Sequence, residues 1–122
     1  MSRKSILVVD DEIGFVDAVR MRLEANGFNV IGAYNGEEAL KAARREKPNL
    51  ILLDLVMPKL NGFEALSQLK ADLATSLIPV IVITAQSDIE YAFDAGKLGA
   101  ADYLIKPVGM EGLLDLVGKH IS

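Results

Sequence analysis

Apolar residues fall along the chain in five short blocks that alternate with five longer amphipathic segments. Ile6-Leu7-Val8-Val9, Leu50-Ile51-Leu52-Leu53 and Ile78 to Ile83 are nearly continuous apolar runs. Runs of this kind suit strands covered on both faces, as in a parallel sheet. Phe28 to Ala33 and Ala101 to Ile105 mix in polar residues, as edge strands do. Three interior and two edge strands make one five-stranded sheet.

The intervening segments carry helix signals. Asn35 with Glu38, Asn61 with Glu64, and Ser87 with Glu90 each place a capping side chain three positions before a carboxylate. Gly27 stands where the first helix needs a left-handed residue after its end. Apolar spacing gives the first, third and last helices one buried stripe each: Val16, Val19 and Leu23; Phe63, Leu66, Leu69 and Leu73; Leu113, Val117 and Ile121. Gly109, Gly112 and Gly118 weaken the last of these, since each costs about 1 kcal/mol in a helix interior. Strict alternation of strand and helix with short connections predicts a doubly wound α/β fold. Ligands of such folds bind beyond the carboxyl ends of the strands.

Composition narrows the reading. The 122 residues suit one domain, and 51% of them are hydrophobic, enough for a core without staples. There is no cysteine, which removes disulfides, thiol nucleophiles and cysteine metal sites. Behind the basic start Met1-Ser2-Arg3-Lys4, the apolar run stops at Asp10, too short for a signal-peptide core. The uncharged stretch from Leu73 to Ser87 falls short of a membrane span. A soluble, cytoplasmic protein is expected. With net charge −4 and scattered basic residues, direct nucleic-acid contact is not expected.

Candidate chemistry gathers at the strand ends. The first strand runs into Asp10-Asp11, the third ends in Asp54, the fourth in Thr84, and the fifth runs into Lys106-Pro107. Parallel strands share one direction, so these side chains meet at one rim. Clustered carboxylates raise one another's pKa, and a cation relieves them. Oxygen ligands without histidine or cysteine favour Mg²⁺, which keeps positions free for phosphate oxygens. Lys106 supplies a point charge and Thr84 a hydroxyl donor for the same group. A carboxylate beside such partners can attack phosphorus. Taken singly, Asp11 also fits a helix start, Asp54 the cap of a turn, and Thr84 and Lys106 structural or solvated positions. The joint placement of all five favours the phosphate-handling reading. Lone His120 reads as a solvated helix residue rather than a ligand.

Together Ile6-Leu7-Val8-Val9-Asp10-Asp11-Glu12, Leu53-Asp54-Leu55-Val56-Met57-Pro58 with Asn61-Gly62, Ile83-Thr84-Ala85, and Gly99-Ala100-Ala101-Asp102-Tyr103-Leu104-Ile105-Lys106-Pro107 resemble the receiver domain of bacterial two-component response regulators. The resemblance implies a flavodoxin-like (βα)5 sandwich with sheet order 2-1-3-4-5, spanning residues 1–122 as one receiver domain. It implies that Asp54 accepts a phosphoryl group from a sensor histidine kinase or phosphotransfer protein. Asp10, Asp11, Asp54 and the Val56 backbone carbonyl would hold Mg²⁺. Thr84 and Lys106 would bind phosphoryl oxygens, with Thr84 and Tyr103 as switching residues. The Lys106-Pro107 bond would be cis. Output would pass through the fourth helix, fifth strand and fifth helix, roughly Ser87 to Ile121, to a downstream effector, an own output domain or a second copy. Such a domain is a phosphoacceptor signalling module rather than an enzyme acting on an outside substrate. Val56 and Gln86, two residues beyond Asp54 and Thr84, stand where the family tunes loss of the phosphoryl group. Val108 replaces an aromatic common after the Lys-Pro pair.

Other classes fit less well. A phosphatase-type hydrolase wants a second acid two residues beyond Asp54, where Val56 stands, and a cap that this length does not provide. A flavin-binding module wants a Ser-, Thr- and Gly-rich loop after the first strand, where acids stand. A degenerate receiver acting only as an interaction module would not retain all five site residues. The sequence stops just after the fifth helical segment, so no output domain is expected within it. A free-standing regulator and a receiver excised from a longer chain both fit.

Overall fold

The computed structural model describes residues 3–57, 61–85 and 88–121. Strands β1 (Ser5–Val9), β2 (Asn29–Ala33), β3 (Leu50–Asp54), β4 (Val80–Ala85) and β5 (Asp102–Lys106) alternate with helices α1 (Ile13–Ala25), α2 (Gly36–Glu46), α3 (Gly62–Ala71), α4 (Ile89–Lys97) and α5 (Met110–His120). All strand pairs are parallel, in the order β2-β1-β3-β4-β5. The expected doubly wound (βα)5 architecture is therefore observed.

The two-faced burial of the interior strands follows their alternation. Leu7, Val9, Ile51, Leu53, Val80 and Val82 face Ala39, Leu40, Ala43, Leu66, Leu69 and Ala95 of α2, α3 and α4. Ile6, Val8, Leu50, Leu52, Ile81 and Ile83 face Val16, Val19, Leu23, Leu113 and Val117 of α1 and α5. With one core on each side, neither face of β1, β3 or β4 tolerates a polar residue until the strands emerge at the rim. There the polar residues begin.

Caps set several boundaries. Asn35 and Asn61 accept from the backbone N–H of Glu38 and Glu64, at 2.9 and 3.0 Å. Ser87, expected to do the same with Glu90, lies outside the described residues, as do Gln86 and Pro58; α4 starts after Asp88, whose side chain makes no capping bond. Gly27 has φ +90°, and the N–H groups of Gly27 and Phe28 donate to Glu24 and Leu23 carbonyls. That Schellman closure uses Phe28, so β2 begins at Asn29 rather than at Phe28.

Four further expectations are corrected. Strand β4 begins at Val80, two residues late, because Ile78 N–H closes a turn onto Thr75 and Pro79 has none to give. Strand β5 covers 102–106 rather than 101–105, since Ala101 N–H already bonds to Val80 O ahead of the ladder. Helix α3 stops at Ala71, so Leu73 is not on its stripe but 95% exposed. The buried Thr75 hydroxyl donates to Leu69 O at 2.7 Å and Lys70 Nζ to Ser76 O and Ile78 O, turning the chain there. Gly109 is the N-cap of α5, which leaves only Gly112 and Gly118 inside that helix. Among the described residues no helix is long and apolar enough to cross a membrane.

Candidate functional site at the strand carboxyl ends

β1 delivers Asp10, β3 ends in Asp54, and β5 ends in Lys106, which pairs in register with Ala85 of β4. Asp10 is fully buried, Asp54 is 6% exposed, and Asp11 is exposed. One oxygen from each of Asp10, Asp11 and Asp54 lies within 4.8 Å of the others. Asp11, Glu12, Asp54, Val56, Ala85, Asp88 and Lys106 line a shallow pocket of about 390 Å³. The predicted acids and lysine thus converge on one rim.

The backbone holds these acids in place. Asp10 Oδ1 accepts from Glu12 N–H at 3.0 Å, and Asp54 Oδ1 from Val56 N–H at 3.3 Å. Gly62 N–H donates to Leu55 O, and the glycine sits so close that a Cβ would lie 2.4 Å from both Asp54 O and Leu55 Cα. The start of α3 is thereby pressed against the chain just after Asp54.

Burial sets the electrostatics. It pushes the Asp54 carboxyl up to about 7, with the Asp10 charge adding to the rise and Lys106 and Val56 N–H opposing it. Burial also raises Asp10, against the pull of Glu12 N–H and Lys106. Lys106 Nζ lies 2.8 Å from Glu12 Oε1, 2.9 Å from Asp10 Oδ2 and 4.0 Å from Asp54 Oδ2. Burial works against its charge, yet the bonds to Glu12 and Asp10 outweigh that and raise its pKa. Phe15 adds a ring face 4.8 Å from the ammonium.

The donor set fits a hard cation. Its ligands are all oxygen, two of the three carboxylates are held above their ordinary range, and Asp10 Oδ2 is buried without a well-aligned hydrogen bond. An ion at this cluster would relieve the repulsion that burial enforces.

Thr84 lies near the end of β4, opposite Ile105, whereas Tyr103 pairs with Val82, two positions short of it. The buried Thr84 hydroxyl donates to Asp88 O at 3.0 Å, along the loop into α4. Tyr103 is 47% exposed on β5. The Lys106-Pro107 peptide is cis. His120 is no solvated bystander: its Nε2 lies 2.9 Å from Asp102 Oδ2, tying the end of α5 to the start of β5. Its sequence offers no sign of this, because the partner lies on another element.

Glu12 and Phe15, the unforeseen partners of Lys106, are likewise invisible to spacing arguments. Their only signal is that Glu12 extends the acidic pair at the end of β1, while Lys106 lies 94 residues away.

A doubly wound parallel sheet with three acids and a lysine at its carboxyl rim defines the class: a flavodoxin-like α/β fold with a charged site at the usual ligand-binding edge. The sequence profile of the response regulator receiver domain matches residues 6–118. The chain belongs to that family. It is 43% identical to the protein PilH of Pseudomonas aeruginosa over 117 residues, 96% of this chain and 97% of that one. It is 47% identical over 105 residues to PhoP, the alkaline phosphatase synthesis transcriptional regulatory protein of Bacillus subtilis, covering 85% of this chain and 42% of PhoP. The chemotaxis protein CheY4 of Vibrio cholerae superposes with a TM-score of 0.91 at 28% identity, over 98% of this chain and 100% of that one. The chain spans less than half the length of several curated relatives, 42 to 44%.

Proposed function

We propose that Asp54 is the phosphoacceptor of a two-component receiver, taking a phosphoryl group from a sensor histidine kinase or a phosphotransfer protein. The observation that carries this reading is the meeting of Asp10, Asp11, Asp54 and Lys106 around one open pocket. Asp54 Oδ attacks phosphorus as the bond from phosphorus to the donor's histidine nitrogen breaks, giving an aspartyl phosphate. Asp10, Asp11, Asp54 and the Val56 carbonyl would hold Mg²⁺, which would supply charge neutralisation for the phosphoryl oxygens. Lys106 pairs with one of those oxygens and Thr84 donates to another.

The switch follows from what Thr84 does now. Its hydroxyl is committed to Asp88 O at the entrance to α4. Turning it toward a phosphoryl oxygen releases that contact, and Tyr103 moves inward from its exposed position. The phosphoryl group shifts the population only by binding the switched state better. Output leaves through α4, β5 and α5, where Phe93 is 74% exposed and Tyr91, Leu98 and Tyr103 are partly so. The recipient is a downstream effector, an attached output domain or a second copy, without direct nucleic-acid contact by this domain. The chain, 1–122, acts as one cytoplasmic receiver domain whose chemistry is confined to its own phosphorylation and dephosphorylation.

Intact-mass spectrometry after incubation with acetyl phosphate and Mg²⁺ tests this. The expected result is one base-labile phosphoryl adduct on the wild type, Mg²⁺-dependent and absent from Asp54→Asn. An adduct that survives in the mutant, or no adduct together with no Mg²⁺-dependent beryllofluoride complex, would overturn the assignment.

Val56 is 54% exposed at the pocket and offers no polar group to orient an attacking water. Val56→Asn is therefore expected to shorten the phosphorylated lifetime several-fold, read as decay of the adduct after donor removal. Equal decay rates would argue against a role for this side chain.

A further inference from the structure

Lys106 has three N–H donors; one is given to Glu12, and Asp10 Oδ2 lies 2.9 Å from Nζ as an ion pair. Glu12 is the closest partner, at 2.8 Å, while Asp54 Oδ2 stands at 4.0 Å, outside hydrogen-bond reach. Glu12 is not there by default. It is the N-cap residue of α1, yet its side chain makes no capping bond and turns to the lysine. Its backbone is fixed, with N–H donating to Asp10 Oδ1 and its carbonyl accepting from Phe15 and Val16 N–H. The carboxylate is thus aimed from an anchored base.

The two partners of Lys106 differ in how easily they let go. The Asp10 side chain is fully buried and loses its cation only at a large desolvation cost. The Glu12 side chain is 66% exposed and is rehydrated as soon as it is released. A phosphoryl group on Asp54 brings about two negative charges. The ammonium then has a stronger partner on its Asp54 side, and the exposed pair is the one that yields.

We propose that Glu12 is a positioning residue that parks the Lys106 ammonium beside Asp10 in the unphosphorylated state and is displaced when an anion is held at Asp54. This rests on Asp54 being the acceptor. Its consequence is a brake: part of the attraction between Lys106 and the phosphoryl group is spent on leaving Glu12. An exposed ion pair of this kind shifts an equilibrium by about two- to fivefold.

The test is calorimetric titration of beryllofluoride at saturating Mg²⁺ into wild type, Glu12→Gln and Glu12→Asp. Glu12→Gln removes the charge. Glu12→Asp keeps it but shortens the side chain by one methylene, so the carboxylate stops short of Nζ. If Glu12 acts by holding the lysine, both variants bind about two- to fivefold more tightly, and raising salt narrows the gap between wild type and variants. Aspartate behaving as wild type would reduce Glu12 to a distant charge and overturn the proposal. So would unchanged affinity in both variants. A tenfold loss of Mg²⁺ affinity in both would make Glu12 a metal partner instead, again overturning it. Failure of the wild type itself to bind beryllofluoride would remove the acceptor assignment along with the brake, whereas wild-type binding with indifferent variants removes only the brake.

Discussion

In metal-free buffer at about pH 8, Asp54→Asn is expected to be more stable than the wild type by about 2–4 kcal/mol, a gain that disappears near pH 4. The cause is the carboxyl trapped between burial and Asp10, pushed up from 3.8 to about 7. A carboxyl with a folded value above its unfolded one binds its proton more readily when folded. Its stabilising share is complete below about pH 4 and is lost as pH rises through about 7. Asparagine keeps the shape without the charge, so it escapes that loss. The window is set by Asp54, whose side chain is only 8% exposed, so solvent screens little of the effect. Asp10 is shifted in the same direction and adds slope to both proteins. Urea denaturation across pH would read the difference. Added Mg²⁺ should narrow it, because a cation at the acid cluster stabilises the ionised wild type more than the mutant. Identical pH profiles for the two proteins would mean that Asp54 titrates as an ordinary surface acid.

Gly62→Ala should be the most damaging of the small substitutions at the rim, costing about 3 kcal/mol in the manner of an overpacked core. The added Cβ would meet Asp54 O and Leu55 Cα at 2.4 Å and Leu55 C at 2.8 Å. These are backbone atoms, so no side chain can swing aside to make room. Either α3 lifts away or the segment after Asp54 shifts, and both disturb the site. The variant should show a lower urea midpoint and weakened beryllofluoride binding together. Gly112→Ala and Gly118→Ala supply the contrast. Both positions lie inside α5 with nothing within 4 Å of a new Cβ. Alanine there is expected to stabilise by about 0.5–1 kcal/mol, through helix propensity alone. Loss of stability in all three variants would remove the steric account of Gly62.

Much of this protein is legible in its sequence because its signals are local or periodic. Continuous apolar runs mark β1, β3 and β4, since a strand between two cores has no polar face to spare. Asn35 and Asn61 announce their helices because a cap is made within four residues. The rim could be foreseen as well: parallel strands carry their last residues to one side, so Asp10, Asp54 and Lys106 share one rim once the sheet is parallel.

What failed was non-local or competed with a stronger local bond. Leu73 fits the α3 stripe by spacing, but the turn built by Thr75 and Lys70 ends the helix before it. His120 looked solvated because Asp102 reaches it only when β5 and α5 are packed together.

The sequence by itself therefore determined the order of elements, the parallel sheet and the side on which chemistry gathers, because hydrophobic period and chain direction are properties of short stretches. The tertiary structure alone decided the partners and the energies. It placed Glu12 rather than Asp54 closest to Lys106, set the Asp54 carboxyl near neutrality, and pressed Gly62 against the backbone it follows. Those facts depend on distances between residues far apart in the chain and on the water that packing excludes, and neither is written in any local pattern.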